Sequence, residues 1–336
     1  MARQSNELLL AWSSMSREEL GTGWQAISLV SAGQLKLMAG RRFPENAEAV
    51  LVGFPSKSLG GPEKLPEGQG FAVERVDLED TEHLWLALTR KSGGIEEFFK
   101  IMVNDVIGAL DLAAVYGADE TKLMKTFIGR VSSWQEFMRK GTHSLSPESE
   151  IGLIGELVVL QEIINAGVYS VVAIESWVGP LDGVQDFEIG TGTLEVKSTV
   201  STSGFLAKIG SLNQLDDSFR QPLFIAGIRL VQTANGQTLP DIIRKIRCEL
   251  ENRSESDGLL TDRLLAGGYI DALAEHYTRK FNLAEMLLLE VSNTFPRLIS
   301  GNVPLGIIKA LYEIDIEKVE GENLCMAEVL MKLGAI

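Results

Sequence analysis

Hydrophobic and polar positions change their period along the chain. Over residues 24–90 apolar side chains alternate with polar ones in short runs broken by turn formers, the pattern of half-buried strands. Runs at 24–30, 34–38, 49–54, 71–78 and 83–89 read as strands. The stretch 56–70 carries Gly60-Gly61-Pro62, Pro66 and Gly68 and reads as a long surface loop. From Ile95 the spacing turns helical: Phe98, Phe99, Met102, Val103, Val106, Ile107 and Leu110 share one face, and a second helix is expected over 120–140. The turn-rich Gly141-Thr142-His143-Ser144-Leu145-Ser146-Pro147 is the expected boundary, separating a domain at 1–140 from one at 145–336. Ser146 followed by Pro147 suits an N-cap and a first helical residue.

Beyond that boundary helical and strand patterns alternate. A helix is expected from 147 to about 166, a strand near 168–177, a hairpin over 184–199, a short helix near Ser211 and a strand at 222–231. Helices follow over 240–252 and 257–276, then strands at 283–292 and 307–317. Such alternation gives an α/β second domain after a β-rich first one with helices, α/β (α+β) in all. The 336 residues leave room for two cores. No apolar run nears the roughly 20 residues that span a bilayer, and the opening MARQSNELLLAW lacks a signal-peptide pattern. A cytoplasmic location, with no membrane partner, is the expectation. Cys248 and Cys325 stand far apart, which excludes a disulfide scaffold or a zinc module.

The candidate chemistry lies in the hairpin. Asp186-Phe187-Glu188-Ile189 and Leu194-Glu195-Val196-Lys197-Ser198-Thr199 flank Gly190-Thr191-Gly192-Thr193, and both arms alternate polar with apolar. With a loop of two or four residues, Asp186 pairs with Lys197 and Glu188 with Glu195. The four polar groups then share one face, and Phe187, Ile189, Leu194 and Val196 the other; a three-residue loop would scramble that sorting. Close carboxylates repel, and a hard divalent cation relieves the repulsion. An adjacent ammonium stabilises hydroxide or charge developing at phosphorus. Together they suffice for phosphodiester hydrolysis, although any solvent-facing amphipathic hairpin can also show Asp, Glu and Lys on its wet side.

A second pattern points the same way. Ile151-Gly152-Leu153-Ile154-Gly155-Glu156-Leu157-Val158-Val159-Leu160 has one charge within an otherwise apolar helix, beyond the first turn where the helix dipole would favour it. Burying Glu156 unpaired is costly, so it should meet a cation, a metal or a donor; a structural salt bridge or a narrow solvated stripe is an equal alternative.

An acidic helix, a strand, then Asp, then Glu-X-Lys on the next strand is the order of the PD-(D/E)XK nuclease superfamily. Gly155-Glu156-Leu157, Trp177-Val178-Gly179-Pro180, Asp186-Phe187 and Glu195-Val196-Lys197-Ser198-Thr199 together resemble the bacterial group called "PD-(D/E)XK motif protein", a former domain of unknown function. Asn213-Gln214-Leu215, Phe295-Pro296-Arg297-Leu298 and Tyr312-Glu313-Ile314-Asp315 are similar to the same group. One departure is Gln185, where the motif has proline. The resemblance implies a restriction-endonuclease-like core, a mixed sheet flanked by helices. It implies Mg²⁺, with Mn²⁺ as substitute, on Asp186, Glu195 and the Val196 carbonyl, and Lys197 as the lysine that orients or activates water. Glu156 is then the auxiliary helix acid, at a second cation or its water, and Gln214 a polar residue at the site's edge. The implied activity is a Mg²⁺-dependent endodeoxyribonuclease of a bacterial restriction or phage-defence system, beside helicase-like or ATPase proteins. A homodimer is left open.

Charge complicates the DNA expectation. Lys and Arg number 31 against 46 Asp and Glu, a formal charge of −15, whereas simple DNA binders tend to be basic. Cations focused near Asp186 would answer this, with Lys208, Arg220, Arg244, Lys245, Arg247 and Arg297 as candidates; for the 244–247 cluster a solvated helix face is the plainer reading. A partner protein supplying the DNA grip is the alternative. His83, His143 and His276 have no partner spacing, and no Gly-x-x-x-x-Gly-Lys-Ser/Thr phosphate loop occurs. The rival function is a non-catalytic subunit that keeps the nuclease fold for protein or DNA binding.

Overall fold

A computed structural model of the chain describes residues 2–15, 22–30, 35–55, 64–78, 80, 82–140, 144–250 and 253–336. Residue 34 of the second expected strand, 56–63 of the expected loop, 141–143 of the expected boundary (His143 included) and 251–252 lie outside these. The chain divides into two compact units, Met1–Thr142 and His143–Ile336.

The first unit holds helix α1 (Ala2–Ser14) and strands β1 (Gly23–Leu29), β2 (Lys36–Phe43), β3 (Ala47–Phe54), β4 (Phe71–Val76) and β5 (Leu84–Arg90). Helices α2 (Glu96–Val115) and α3 (Glu120–Lys140) follow. The strands form one antiparallel sheet in the order β1-β2-β3-β5-β4. Its central strand β3 is buried on both faces.

The second unit opens with α4 (Pro147–Asn165), where Ser146 caps the helix by accepting from Ser149 N–H. Then come α5 (Ser170–Ser176), a 3₁₀ turn at Gly179–Leu181, β6 (Phe187–Ile189), β7 (Gly192–Thr199), β8 (Leu206–Ile209) and β9 (Leu223–Gln237). Helices α6 (Leu239–Glu249) and α7 (Arg253–Ala266), a 3₁₀ turn at Asp271–His276, β10 (Phe281–Glu290), β11 (Tyr312–Asp315) and α8 (Met326–Lys332) complete it. The main sheet runs β10-β9-β7-β6 and is mixed, with β7 and β9 parallel and the outer pairs antiparallel. One face, with Leu194, Val196, Phe224, Ala226 and Ile228, packs against α4 through Ile154 and Leu157. The opposite face, with Leu223 and Ile225, packs against the β8–β11 ladder through Phe205, Ile209 and Ile314. The mixed sheet is the expected one, with helices on one face and the two-stranded ladder on the other. Among the described residues no helix is long and apolar enough to cross a membrane.

Several expectations fail locally, each for a physical reason. The strand expected at 168–177 is helix α5. Its β-branched residues suggest a strand, but Ser170, Ala173, Ile174 and Trp177 recur at helical spacing and are buried, with Ser176 beside them. The short helix expected near Ser211 is a single turn, in which Gln214 Oε1 accepts Gly210 N–H at 2.7 Å in place of a helical carbonyl. The long helix expected at 257–276 breaks at Gly267-Gly268, where Gly268 takes φ +89°. The late strand shrinks to four residues, and α8 had not been anticipated.

Candidate functional site

The β6–β7 hairpin turns on two residues, Gly190 and Thr191, with Gly190 at φ +58°. Its register is Phe187↔Leu194, Glu188↔Thr193 and Ile189↔Gly192. The expected pairs Asp186–Lys197 and Glu188–Glu195 are therefore displaced by two residues. An even displacement leaves the sorting of faces intact, so Glu188, Thr193, Glu195 and Lys197 still share a side. That side is not a wet one. Glu195 is 2% exposed and Thr193 is buried, because β7 lies inside the sheet and Glu195 and Lys197 stand beside Ile225 and Gly227 of β9. A solvent-facing hairpin does not describe it.

β6 begins after Asp186, which frees that side chain to turn back on β7. Its Oδ2 accepts the Val196 N–H at 2.6 Å, setting the carboxylate between Glu195 and Lys197. N–H and C=O of one strand residue point to the same edge, so the Val196 carbonyl faces the Asp186 side as well. Lys197 Nζ lies 2.6 Å from Glu195 Oε1.

Glu156 arrives from the helix layer. α4 lies so close to β7 that a Cβ at residue 155 would fall 1.8 Å from Ser198 Oγ. Gly155 thus permits the approach that brings its neighbour Glu156 to the site. Trp177, wholly buried and stacked on Phe187, donates its indole N–H to Glu156 Oε2 at 2.7 Å. Gly179 faces both acids: a Cβ there would lie 2.7 Å from Asp186 Oδ1 and 3.1 Å from Glu156 Oε2. The absent side chain leaves space at the carboxylates.

Crowding three acids in a dry place changes their proton affinity. Burial, then the Asp186 charge, pushes Glu195 up to about 8 against the pull of Lys197. Burial, then Asp186, does the same to Glu156, also to about 8, opposed by the Trp177 hydrogen bond and Lys197. Burial raises Asp186 too, while the Val196 N–H and Lys197 lower it. All donors are oxygens, the acids outnumber the lysine, and Gly179 leaves room beside them, so the donor chemistry suits a hard divalent cation. The three carboxylates do not bring their oxygens within 4.8 Å of one another, as Asp80, Glu82 and His83 do.

The remaining expected residues lie elsewhere or are engaged. Gln214 spends its side-chain oxygen on Gly210, while its main-chain carbonyl and that of Asn213 receive the side-chain amide of Gln185, at 3.4 and 3.0 Å. Gln185, noticed in the sequence only as a missing proline, is buried and ties the Asp186 segment to the loop after β8. Arg220 pairs with Glu188 and donates to Gly190 C=O. Arg247 bridges Asp257 and Asp271, and Arg297 bonds Leu215 C=O and Asp217 from a buried position. Arg244 pairs with Asp241 on its own helix, and Lys245 is exposed beside it. Lys208 is exposed and stands opposite Glu313 in the β8–β11 ladder.

Sequence reasoning missed the parts played by Trp177, Gly179 and Gln185. The Trp-Val-Gly-Pro string had been noticed as a family likeness, with no physical part attached. In the first unit Asp80, Glu82 and His83 bring their ligand atoms within 4.8 Å of one another. Lys36, then His83, already hold Asp80 well below the usual carboxylate range.

A mixed sheet with helices on one face, an acid just before its edge strand and Glu-X-Lys on the next strand fit a restriction-endonuclease-like class of protein. Residues 8–317 match the family described as "Putative PD-(D/E)XK family member (DUF4420)". The chain belongs to that family. No curated protein and no solved structure matches it.

Proposed function

We propose that residues 145–336 form a metal-dependent nuclease that hydrolyses phosphodiester bonds in DNA, in a bacterial restriction or phage-defence setting. The observation that carries this reading is the convergence of Asp186, Glu195, Glu156 and Lys197 in a buried site whose acids outnumber its cation. Asp186 and Glu195 with the Val196 carbonyl would hold Mg²⁺, and Glu156 a second cation or its water. The bound cation supplies charge neutralisation at the scissile phosphate and an acidified water. Lys197, ordered against Glu195, orients the attacking water and stabilises negative charge at phosphorus. Val196 N–H fixes the Asp186 rotamer, and Trp177 fixes that of Glu156. Gly179 keeps the entrance open.

The test is Mn²⁺ binding by calorimetry, together with cleavage of plasmid DNA. Wild type should bind and cut, EDTA should stop cleavage, and Asp186→Asn should lose both. Cleavage that persists in excess EDTA ends the reading. A second reading, a non-catalytic DNA- or protein-binding subunit, draws on the fate of the expected basic rim: Arg220, Arg244, Arg247 and Arg297 are all paired with acids. Metal binding without cleavage, alone or with helicase-like partners, would favour it.

A further inference from the structure

The acids of this chain are unevenly spread. Asp and Glu make up 46 of 336 residues, yet none occurs from Val196 to Leu215 or from Val291 to Tyr312. The fold brings these two runs together. Tyr312 pairs with Ile209 in the β8–β11 ladder. Arg297 Nη1 donates to Leu215 C=O at 2.7 Å. The Tyr312 hydroxyl accepts Leu298 N–H at 3.0 Å. Phe205, Ile209, Leu215, Val291 and Phe295 share one small core with Ile225. Because Glu195 and Lys197 lie on the Ile225 side of the sheet, the layer formed by the two acid-free runs covers the face of β7 that carries them, with Glu313 and Asp315 of β11 at its border. The charge of Lys197 is felt at the Tyr312 hydroxyl.

The outer part of this layer is the irregular segment 298–311. Leu305 is fully exposed, Ile308 is 94% exposed, and Ile307 and Leu311 are also open to water. Lys309, between them, is exposed too. Large aliphatic groups clustered in water mark a surface that meets a partner. Two physical arguments choose the partner. A protein-docking loop has no reason to exclude carboxylates from both runs, whereas a carboxylate beside a polyanion adds repulsion at every approach. Leu and Ile are also among the side chains that press against or wedge between base steps.

We propose that the loop 298–311 is a nucleic-acid-contacting element, with Leu305, Ile307, Ile308 and Leu311 against bases and Lys309 at a phosphate. This rests on the nuclease reading of the neighbouring site and adds the surface that presents DNA to it. With one exposed lysine in the loop, its share of binding should depend weakly on salt, since few counterions are released there.

The experiment uses the full chain, a labelled DNA duplex with a single-stranded tail, low salt, and Ca²⁺ to suppress cleavage. Leu305→Glu/Ile308→Glu should weaken DNA binding at least tenfold, and Leu305→Ser/Ile308→Ser by a smaller factor. Both should keep the wild-type melting profile and Mn²⁺ affinity. Wild-type DNA affinity in both variants would overturn the proposal and assign the aliphatic loop to a protein partner, and so would a wild type that binds no DNA at low salt. If the loop variants lose DNA while the wild type binds no Mn²⁺, the metal-centre reading falls and the surface stands.

Discussion

Glu48 in the first unit and Glu195 in the second are both buried glutamates on interior strands of their sheets, and they live under opposite conditions. Glu48 meets two arginines: Arg90 Nη2 at 2.6 Å and Arg41 Nη2 at 3.4 Å. Its charge is more than answered, and Glu48 fastens β2, β3 and β5 together. Glu195 meets one lysine and two further carboxylates. A stability-driven arrangement would not put three acids around a single cation. An excess of acids over cations in a buried place, desolvation first and the neighbouring acids second, holds protons on these glutamates near neutrality and separates them from the structural ion pair at Glu48.

The sharpest break in this comparison is expected in activity. Lys197→Ala should cut the cleavage rate by on the order of 10²–10³-fold or more, with a smaller fall in melting temperature because Glu195 loses its 2.6 Å partner. Near-normal cleavage in this variant would reduce Lys197 to the role Arg90 plays. Next, the same substitution at the two glutamates should act unequally. Glu48→Gln removes the carboxylate that both arginines bond directly, leaving them only the charge of Glu96, and should cost roughly 3 kcal/mol, with Mn²⁺ affinity unchanged. Glu195→Gln replaces a carboxyl that burial already keeps largely protonated near neutrality, so it should hold the metal-free melting temperature while abolishing Mn²⁺ binding. Chemical denaturation and calorimetry on both variants decide it. If Glu195→Gln loses as much stability as Glu48→Gln, the distinction between the two glutamates fails.

A smaller effect should come from the spacing that delivers Glu156. Gly155→Ala puts a methyl against Ser198, and overpacking of this kind costs about 1–3 kcal/mol. The variant should also weaken Mn²⁺ binding, because α4 must move away from β7; unchanged stability would show that the close approach is not needed. The same buried acids should also give a trend with pH. The folded-state values of Glu156 and Glu195 are raised from 4.5 to about 8, so the unfolded chain releases these protons first as pH rises. Their contribution is fully present below about pH 4.5 and is lost on the way up through about 8. Melts in EDTA should therefore fall from pH 5 to 8.5, and Glu195→Gln should flatten the slope. Acids held low, such as Glu96 and Asp241, act below this window and do not mask it.

Much of this is legible in the sequence. Period-2 runs located the five strands of the first unit, helical spacing located α2, α3 and α4, and Ser146-Pro147 marked the start of α4. The sorting of Glu195 and Lys197 onto one face followed from strand alternation alone. What stayed hidden depends on partners distant in sequence. The exact register of the hairpin turned on Gly190 taking a left-handed φ, and α5 kept its helical fold because its buried stripe packs on α7 and α4. The parts played by Gly179 and Gln185 come from what stands opposite them, the two carboxylates and the Asn213 and Gln214 carbonyls, and no local pattern encodes such neighbours. The engaged state of Arg247 and Arg297 was invisible for the same reason, since their acids are supplied by other segments.

The indole that holds Glu156 also makes the site optically addressable. Trp177 is one of five tryptophans, and its N–H points straight at the Glu156 carboxylate. The energy of an indole's excited state follows the electric field along the ring, so a cation drawing Glu156 towards itself would shift this one residue's emission. Subtracting the spectrum of Trp177→Phe, which keeps an aromatic ring against Phe187, isolates that signal from the other four. Loading of the site could then be followed in real time, with no nucleic acid in the cuvette.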